Sequence, residues 1–404
     1  MNGPGPGSGI LGAMRRPIVW LLFGMIFVAE LGWAGVAPLL PDYQDRFALS
    51  DTTTGFILSI AGVGILVVSL PAGALSRRFS VRALTLWGMV ALTVGNLVTG
   101  LTASYGMLLL GRGLFGMGLG MMWVTGTAWL HEAAGDRGAH ALALTTTVVG
   151  LGSLVGPAIT GVLGERYGIG VPFVLLGVLC GLTGLVLFLA PDRSGRVAEP
   201  SPPLRDMLRA ARADDLLITS VLLSLVVSLM WMTIELLVPL RLDGLGYTAS
   251  SIGFVFSITS IVFAAASAVA ARGADRYSTI RFSAVWTTIM AVALAMGGVA
   301  VSAPGTVVFL LAMGVTSGLM IAITYPLGAV GAREGGFSVA VVGALLNMVW
   351  AGSGIIGPIV GGSVSGAVGD APVFAILAVV SLACAGWMWT RRRSTMRVAE
   401  ADTT

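Results

Sequence analysis

Three ionisable residues, Glu30, Arg112 and Glu235, sit well inside long apolar runs of this sequence. A charge at the lipid-facing centre of a membrane helix costs about 2.5–3.5 kcal/mol on insertion scales. Such residues are expected to face an interior, where a carboxyl can take up and release a proton. Glu30 lies about ten residues, and Arg112 about six, from the same-side ends of their runs. At 1.5 Å per residue their depths differ by roughly 6 Å, within reach of two long side chains. Glu30 reads as a proton-binding group and Arg112 as the cation that modulates it. The alternative is a permanent structural ion pair. Glu235 follows Trp231 by one turn. It reads as a cation-attracting residue in the outer half of a cavity or, alternatively, as a water-exposed vestibule residue.

Aromatic and polar side chains accompany these charges. Trp33 follows Glu30 on the first run, and Arg112, Gly116, Trp123 and Thr127 keep helical spacing, so Arg112 and Trp123 are expected on one face. Trp231, Met320, Thr324, Tyr325, Asn347 and Trp350 complete a candidate cavity set. An aromatic and Met-lined pocket with few fixed hydrogen-bonding groups suits variable amphipathic ligands. Each Trp taken singly fits packing or interfacial anchoring equally well. His131 and Glu132 read as solvated loop residues, and Asp42 and Asp243 as loop residues at helix ends. Both histidines, His131 and His140, fall in one loop, and Cys180 and Cys384 lie in apolar runs. There is no Ser/His/Asp or metal-ligand constellation, so no enzyme activity, cofactor or metal is expected. A Walker-type Lys motif is also missing, and an ion gradient must supply the energy.

The elements that position these residues follow from composition. Of 404 residues, 56% are hydrophobic and 10% charged. Soluble domains carry about 25% charged residues, so the solvent here must be lipid. A membrane helix needs about 20 mostly apolar residues. Twelve such runs are read, roughly 18–40, 53–75, 83–103, 107–130, 141–163 and 169–190, then 216–240, 251–271, 282–303, 306–329, 340–364 and 371–390. They are numbered spans 1 to 12. The first run reads as an anchor rather than a cleavable signal.

Every basic residue is Arg. With a cytoplasmic N-terminus, 19 Arg fall in inner segments and 3, Arg46, Arg166 and Arg241, in outer loops. That bias places both termini in the cytoplasm. It also argues against nucleic-acid binding. The expected organisation is a flexible 1–16, a six-helix bundle over 17–190, a linker over 191–215, a second bundle over 216–390 and a tail over 391–404. The linker opens Pro-, Ser- and Gly-rich. It closes with an amphipathic pattern in which Leu204, Met207, Leu208 and Ala211 oppose Arg205, Arg209 and Arg212.

The two halves repeat. Gly152, Gly156, Pro157 and Gly161 in span 5 return as Ser353, Gly357, Pro358 and Gly362 in span 11, 201 residues on. The Gly55-Phe56 phrase of span 2 returns as Gly253-Phe254 in span 8, and Pro38-Leu39 as Pro239-Leu240. Duplicated membrane bundles rock against each other around a site at the repeat seam. Pro bends a helix and Gly at four-residue spacing admits a close neighbour, so spans 5 and 11 are expected as bent, close-packed pivots. Static packing is the alternative.

These features resemble the major facilitator superfamily over essentially the whole chain, and its twelve-helix drug:proton antiporters most. The loop after span 2 keeps Gly73, Leu75, Arg78 and Arg82 of the family's gate motif, with Arg77 replacing the usual Asp. The equivalent loop of the second half keeps Gly273, Asp275 and Arg276. Arg112-x-x-x-Gly116-x-Gly118 matches a family pattern whose Arg takes part in proton coupling, and the span 5 phrase matches the antiporter motif. The resemblance implies an all-α fold of two pseudo-symmetric six-helix bundles. It also implies a cavity lined by spans 1, 4, 7 and 10, and a monomer in the plasma membrane. The expected function is proton-coupled efflux of small amphipathic or cationic compounds by alternating access. The alternative is proton-coupled transport of a sugar or other metabolite, although sugar sites need more polar side chains than these spans offer.

Overall fold

The computed structural model describes residues 17–75, 78–190, 205, 209–210, 212 and 214–391. Every regular element among them is helical, and twelve helices are long and apolar enough to cross a membrane. Helices satisfy their own backbone groups, which lipid cannot do. The chain is thus a multi-pass membrane protein.

Span 1 is longer than its apolar run. A helix over Pro17–Ala34 passes through a 3-10 turn at Ala37–Leu39 into a second helix, Leu40–Phe47. Pro38 and Pro41 do not stop it, because each falls in the first turn of a new segment, where the missing N–H is tolerated. Asp42 is therefore helical rather than a loop residue, and Asp243 likewise lies in the last turn of Asp215–Gly244. His131 and Glu132 are exposed, as expected, yet also helical, within Thr127–Ala134.

The remaining spans are Asp51–Leu75, Val81–Gly100, Tyr105–Ala134, Gly138–Tyr167 and Val171–Leu189. Spans 7 to 12 are Asp215–Gly244, Ala249–Arg272, Ile280–Gly297, Ala303–Glu334, Ala340–Val368 and Asp370–Arg391. Polar N-caps open several of them. Ser80, Ser104, Asp214, Thr279 and Ser302 each accept a backbone N–H of the first turn. Pro157 and Pro358 sit inside continuous helices.

Two units emerge. Unit 1 comprises 1–48, 60–200 and 248–257, and unit 2 comprises 49–59, 201–247 and 258–404. In unit 1, span 1 packs on spans 5 and 6, and span 3 on spans 4 and 6. Leu22, Ile26, Leu92, Phe115 and Phe173 are buried at its centre. In unit 2, span 7 packs on spans 10 and 11, and span 9 on span 12, burying Leu223, Val227, Leu310 and Phe374. Leu182, Leu185, Phe188 and Leu189 of span 6 project outward, an apolar surface suited to lipid.

Each unit also takes in the start of one span whose remainder lies in the other. Gly253, on span 8, packs against the Pro157 carbonyl, and the Ser250 N–H donates to Glu165 at 3.0 Å in unit 1. Gly55, on span 2, packs against the Pro358 carbonyl, and Ser59 Oγ donates to Ile355 O at 3.0 Å in unit 2. The two repeated phrases find each other in both units.

Of the helix read over 204–212, only Arg205, Arg209, Ala210 and Arg212 are described. Ala210 is buried with Leu217, Ala332 and Val342. The terminal segments 1–16 and 392–404 and the linker 191–204 lie outside the described residues.

Candidate functional site

Unit 1 holds the buried charges. Glu30, 7% exposed, sits on span 1, and Arg112, 1% exposed, on span 4. Arg112 Nη1 donates to the Gly32 carbonyl at 3.3 Å, and its guanidinium lies 4.7 Å from the centre of the Phe115 ring. The cation is thus tied to the helix of Glu30 two residues past the carboxyl. Span 5 closes the other side. A Cβ on Gly152 would lie 2.6 Å from the Cβ of Glu30 and 3.1 Å from the Phe27 carbonyl. A Cβ on Gly156 would meet the Leu31 carbonyl at 3.0 Å. The span 5 glycines are where span 1 presses its acidic turn into its neighbour, which only a residue without a side chain permits. Trp33, one turn on from Glu30, is half-buried.

Span 4 is interrupted. Met122–Gly126 forms a π turn between Tyr105–Met121 and Thr127–Ala134. One extra residue in the turn rotates everything beyond it by about 100°. The single face expected for Arg112, Gly116, Trp123 and Thr127 does not run through it. Trp123 lies within the π turn, and Thr127 Oγ1 donates back to its carbonyl at 2.5 Å.

The candidate cavity residues of unit 2 separate. Trp231 is half-buried on span 7, donates Nε1–H to Ser317 Oγ at 3.1 Å, and meets Phe263 edge-on at 6.2 Å. Glu235, one turn on, is half-buried. Met320 and Thr324 are enclosed, at 0% and 1% exposure. Thr324 Oγ1 donates to the Met320 carbonyl at 2.9 Å, and the Thr324 carbonyl accepts from Ser220 at 2.7 Å. They pack here rather than line open space. Tyr325 and Asn347 are exposed, and Trp350 is half-buried.

Of the gate residues, Arg82 donates to the Phe188 carbonyl, and Arg78 and Arg276 are exposed. Gly73 is helical, but what surrounds it and the Asp275 side chain lies outside the described residues. Gly161 packs on Ala249 in unit 1, and Gly357 on Met232 and Thr233 in unit 2. No group of three His, Cys, Asp or Glu is placed to hold a metal among the described residues.

Sequence reasoning missed two clusters. Tyr43, 0% exposed, packs against Phe47 and Phe173 beside the Arg112 region. In unit 2, Arg241 pairs with Asp370 at 2.9 Å and donates to the Gly297 carbonyl at 2.8 Å. Ser365 links Asp370 at 2.7 Å to Asp51 at 3.1 Å. In the sequence, Arg241 shows only as an outer-loop charge. Its partner lies 129 residues away, and local spacing carries no trace of it.

Twelve apolar helices, an internal repeat and charges buried within spans define a polytopic membrane protein of duplicated build. The profile of the Major Facilitator Superfamily matches residues 22–351, and the chain belongs to that family. It is similar to an uncharacterised MFS-type transporter, YceJ, of Bacillus subtilis, at 30% identity over 28% of each chain. The quinolone resistance protein NorA of Staphylococcus aureus is 24% identical over 58% of this chain and 60% of its own. The multidrug resistance protein Stp of Mycobacterium tuberculosis is 28% identical over 32% and 24%. The chain thus matches about a quarter to three-fifths of these relatives' lengths. Among solved structures, a bacterial homologue of the human lysosomal transporter Spinster, inward-facing and occupied, aligns at TM-score 0.76. It is 14% identical and covers 97% of this chain and 98% of its own, which establishes the shared fold.

Proposed function

We propose that this protein is a secondary active transporter that exports small amphipathic or cationic compounds in exchange for protons, by alternating access. One observation carries the reading. A buried carboxyl, Glu30, shares its helix turn with the carbonyl that anchors a buried guanidinium, Arg112, while a glycine face of span 5 packs directly behind it. Protonation of Glu30 removes a charge from this enclosed site, and Arg112 and a cationic cargo compete for the carboxylate when the proton leaves. Trp33, Trp123, Trp231 and Glu235 are the side chains that would meet the cargo. Met320, Thr324, Tyr325, Asn347 and Trp350 belong to the same proposed set, the two enclosed ones becoming accessible only as helices shift. Gly73, Arg78, Arg82, Asp275 and Arg276 would act at the gates, and Gly152, Gly156, Pro157, Gly161, Gly357 and Pro358 at the pivots. The drug-resistance relatives support the cargo class. The arginine bias supports a plasma-membrane protein with both termini cytoplasmic.

The test is reconstitution in vesicles with an imposed pH gradient and a pH-sensitive dye inside. Amphipathic cations such as tetraphenylphosphonium are expected to drive proton movement across the membrane. Proton movement driven by sugars and not by any amphipathic compound would replace this reading with the metabolite alternative.

A further inference from the structure

The Tyr43 side chain is fully buried, and its hydroxyl has no hydrogen-bond partner among the described residues. Such a group costs about 1–3 kcal/mol, so its retention calls for a reason. Packing alone does not supply one. Phe would keep the contacts with Phe47, at 6.4 Å and parallel, and with Phe173, at 6.3 Å. The charged groups acting on Tyr43 are Arg112 from span 4 and Arg46 and Asp42 from its own helix.

Helix register brings Arg112 toward Tyr43. Arg46 Nη2 donates to the Thr102 carbonyl at 3.0 Å, which sets this end of span 1 beside the start of span 4 at Tyr105. Tyr43 lies one turn inward from Arg46, and Arg112 about two turns inward from Tyr105, roughly 10 Å. Helical side chains lean toward the N-terminus of their own helix. Span 1 ends where span 4 begins, so this preference inclines Tyr43 inward and opens to Arg112 an outward rotamer toward it, beside the position it holds at Gly32. Arg46 also lines a groove of about 350 Å³ with Leu101, Tyr167 and Ile169, so the surface lies one turn beyond Tyr43.

We propose that the Tyr43 hydroxyl is the second resting point of the Arg112 guanidinium, which makes Tyr43 a positioning residue for proton binding at Glu30. The proposal rests on the reading of Glu30 as the proton-binding group. With Glu30 ionised, Arg112 stays by the turn of Glu30 and Gly32. When a proton neutralises the carboxyl, the guanidinium turns to the lone pair of the Tyr43 oxygen. Arg112 and Tyr43 keep their own protons throughout, and the proton gained is the one on Glu30. Tyr43 thereby stabilises the protonated state, because it gives the displaced cation a partner.

The test needs no cargo. The carbonyl stretch of protonated carboxyls is followed by infrared titration of the purified full-length protein. A band absent from Glu30→Gln belongs to Glu30. In Tyr43→Phe its midpoint is expected to fall by about half to one pH unit, a three- to tenfold loss of proton affinity. Thermal stability is expected to hold or rise, because an unsatisfied hydroxyl has been removed. In an Arg112→Gln background, Tyr43→Phe is expected to have no further effect. An unchanged midpoint in Tyr43→Phe, or a shift that persists without Arg112, overturns the proposal while leaving Glu30 as the proton site. Failure of Glu30→Gln to remove any titrating band overturns the underlying reading instead.

Discussion

The two units carry the same helix scaffold and opposite chemistry at matched positions. In unit 1, Glu30, Arg112 and Gly152 form one contact region. At the 201-residue offset unit 2 carries Trp231, Met313 and Ser353. Met313 is buried at 0%, Trp231 bonds Ser317, and Ser353 Oγ accepts from Ser228 at 2.7 Å. Unit 2 thus fills, with neutral and internally satisfied groups, the places where unit 1 keeps charge. Charge inside a membrane protein is costly and persists where it serves a function. On the proposed reading, this contrast puts proton handling mainly in unit 1, with Glu235 and the aromatic side chains of unit 2 facing the cargo. At the far end of span 7 the contrast reverses. There unit 2 pins its helices with the Arg241–Asp370 pair, while the corresponding end of span 1 holds Tyr43 and Arg46.

The sharpest way to break this contrast is Arg112→Met, which gives unit 1 the residue of unit 2. Proton-coupled transport is expected to fall by on the order of 100-fold, the scale of one lost charge-assisted bond of about 2.7 kcal/mol. Vesicle flux measures it, and an unchanged rate would erase the distinction. Next is Arg241→Gln, expected to lower stability by about 2 kcal/mol. That is below the 3–5 kcal/mol of a fully buried pair, because Asp370 keeps 24% of its side chain exposed. Thermal unfolding in detergent checks it, and proton coupling per molecule is expected to survive.

Substitutions at one matched position separate the two repeated phrases. Gly152→Val inserts a side chain against Glu30 and is expected to cost about 1–3 kcal/mol, with loss of transport. Ser353→Gly at the equivalent site removes one hydrogen bond, about 1 kcal/mol, and transport is expected to continue. Equal losses at both sites would make the phrase a symmetric structural device. The mildest change is Trp231→Phe, which removes the bond to Ser317. Cargo affinity is expected to weaken a few-fold, in line with about 0.5–1.5 kcal/mol, with the pH profile unmoved.

Much of this scaffold was legible in the sequence because lipid imposes a coarse rule of long apolar runs. The twelve spans, the repeated phrases and the buried positions of Glu30 and Arg112 follow from that rule. What local pattern does not carry was missed. Pro38 and Pro41 looked like a stop, yet each opens a new helical segment. The π turn of span 4 leaves the apolar pattern intact while rotating Thr127 away from the expected face. Met320 and Thr324 had the spacing of cavity residues, and burial depends on neighbours that spacing does not name. Tyr43 and Arg241 owe their meaning to partners on other helices, brought together only by packing.

The central claim is that the proton is handled in unit 1, at Glu30. Its most direct test compares proton flux and cargo exchange in vesicles containing Glu30→Gln. Cargo-dependent proton flux is expected to vanish, while exchange of labelled for unlabelled cargo across equal pH continues. Proton flux at the wild-type rate in Glu30→Gln would contradict the account and move the coupling site elsewhere in the chain.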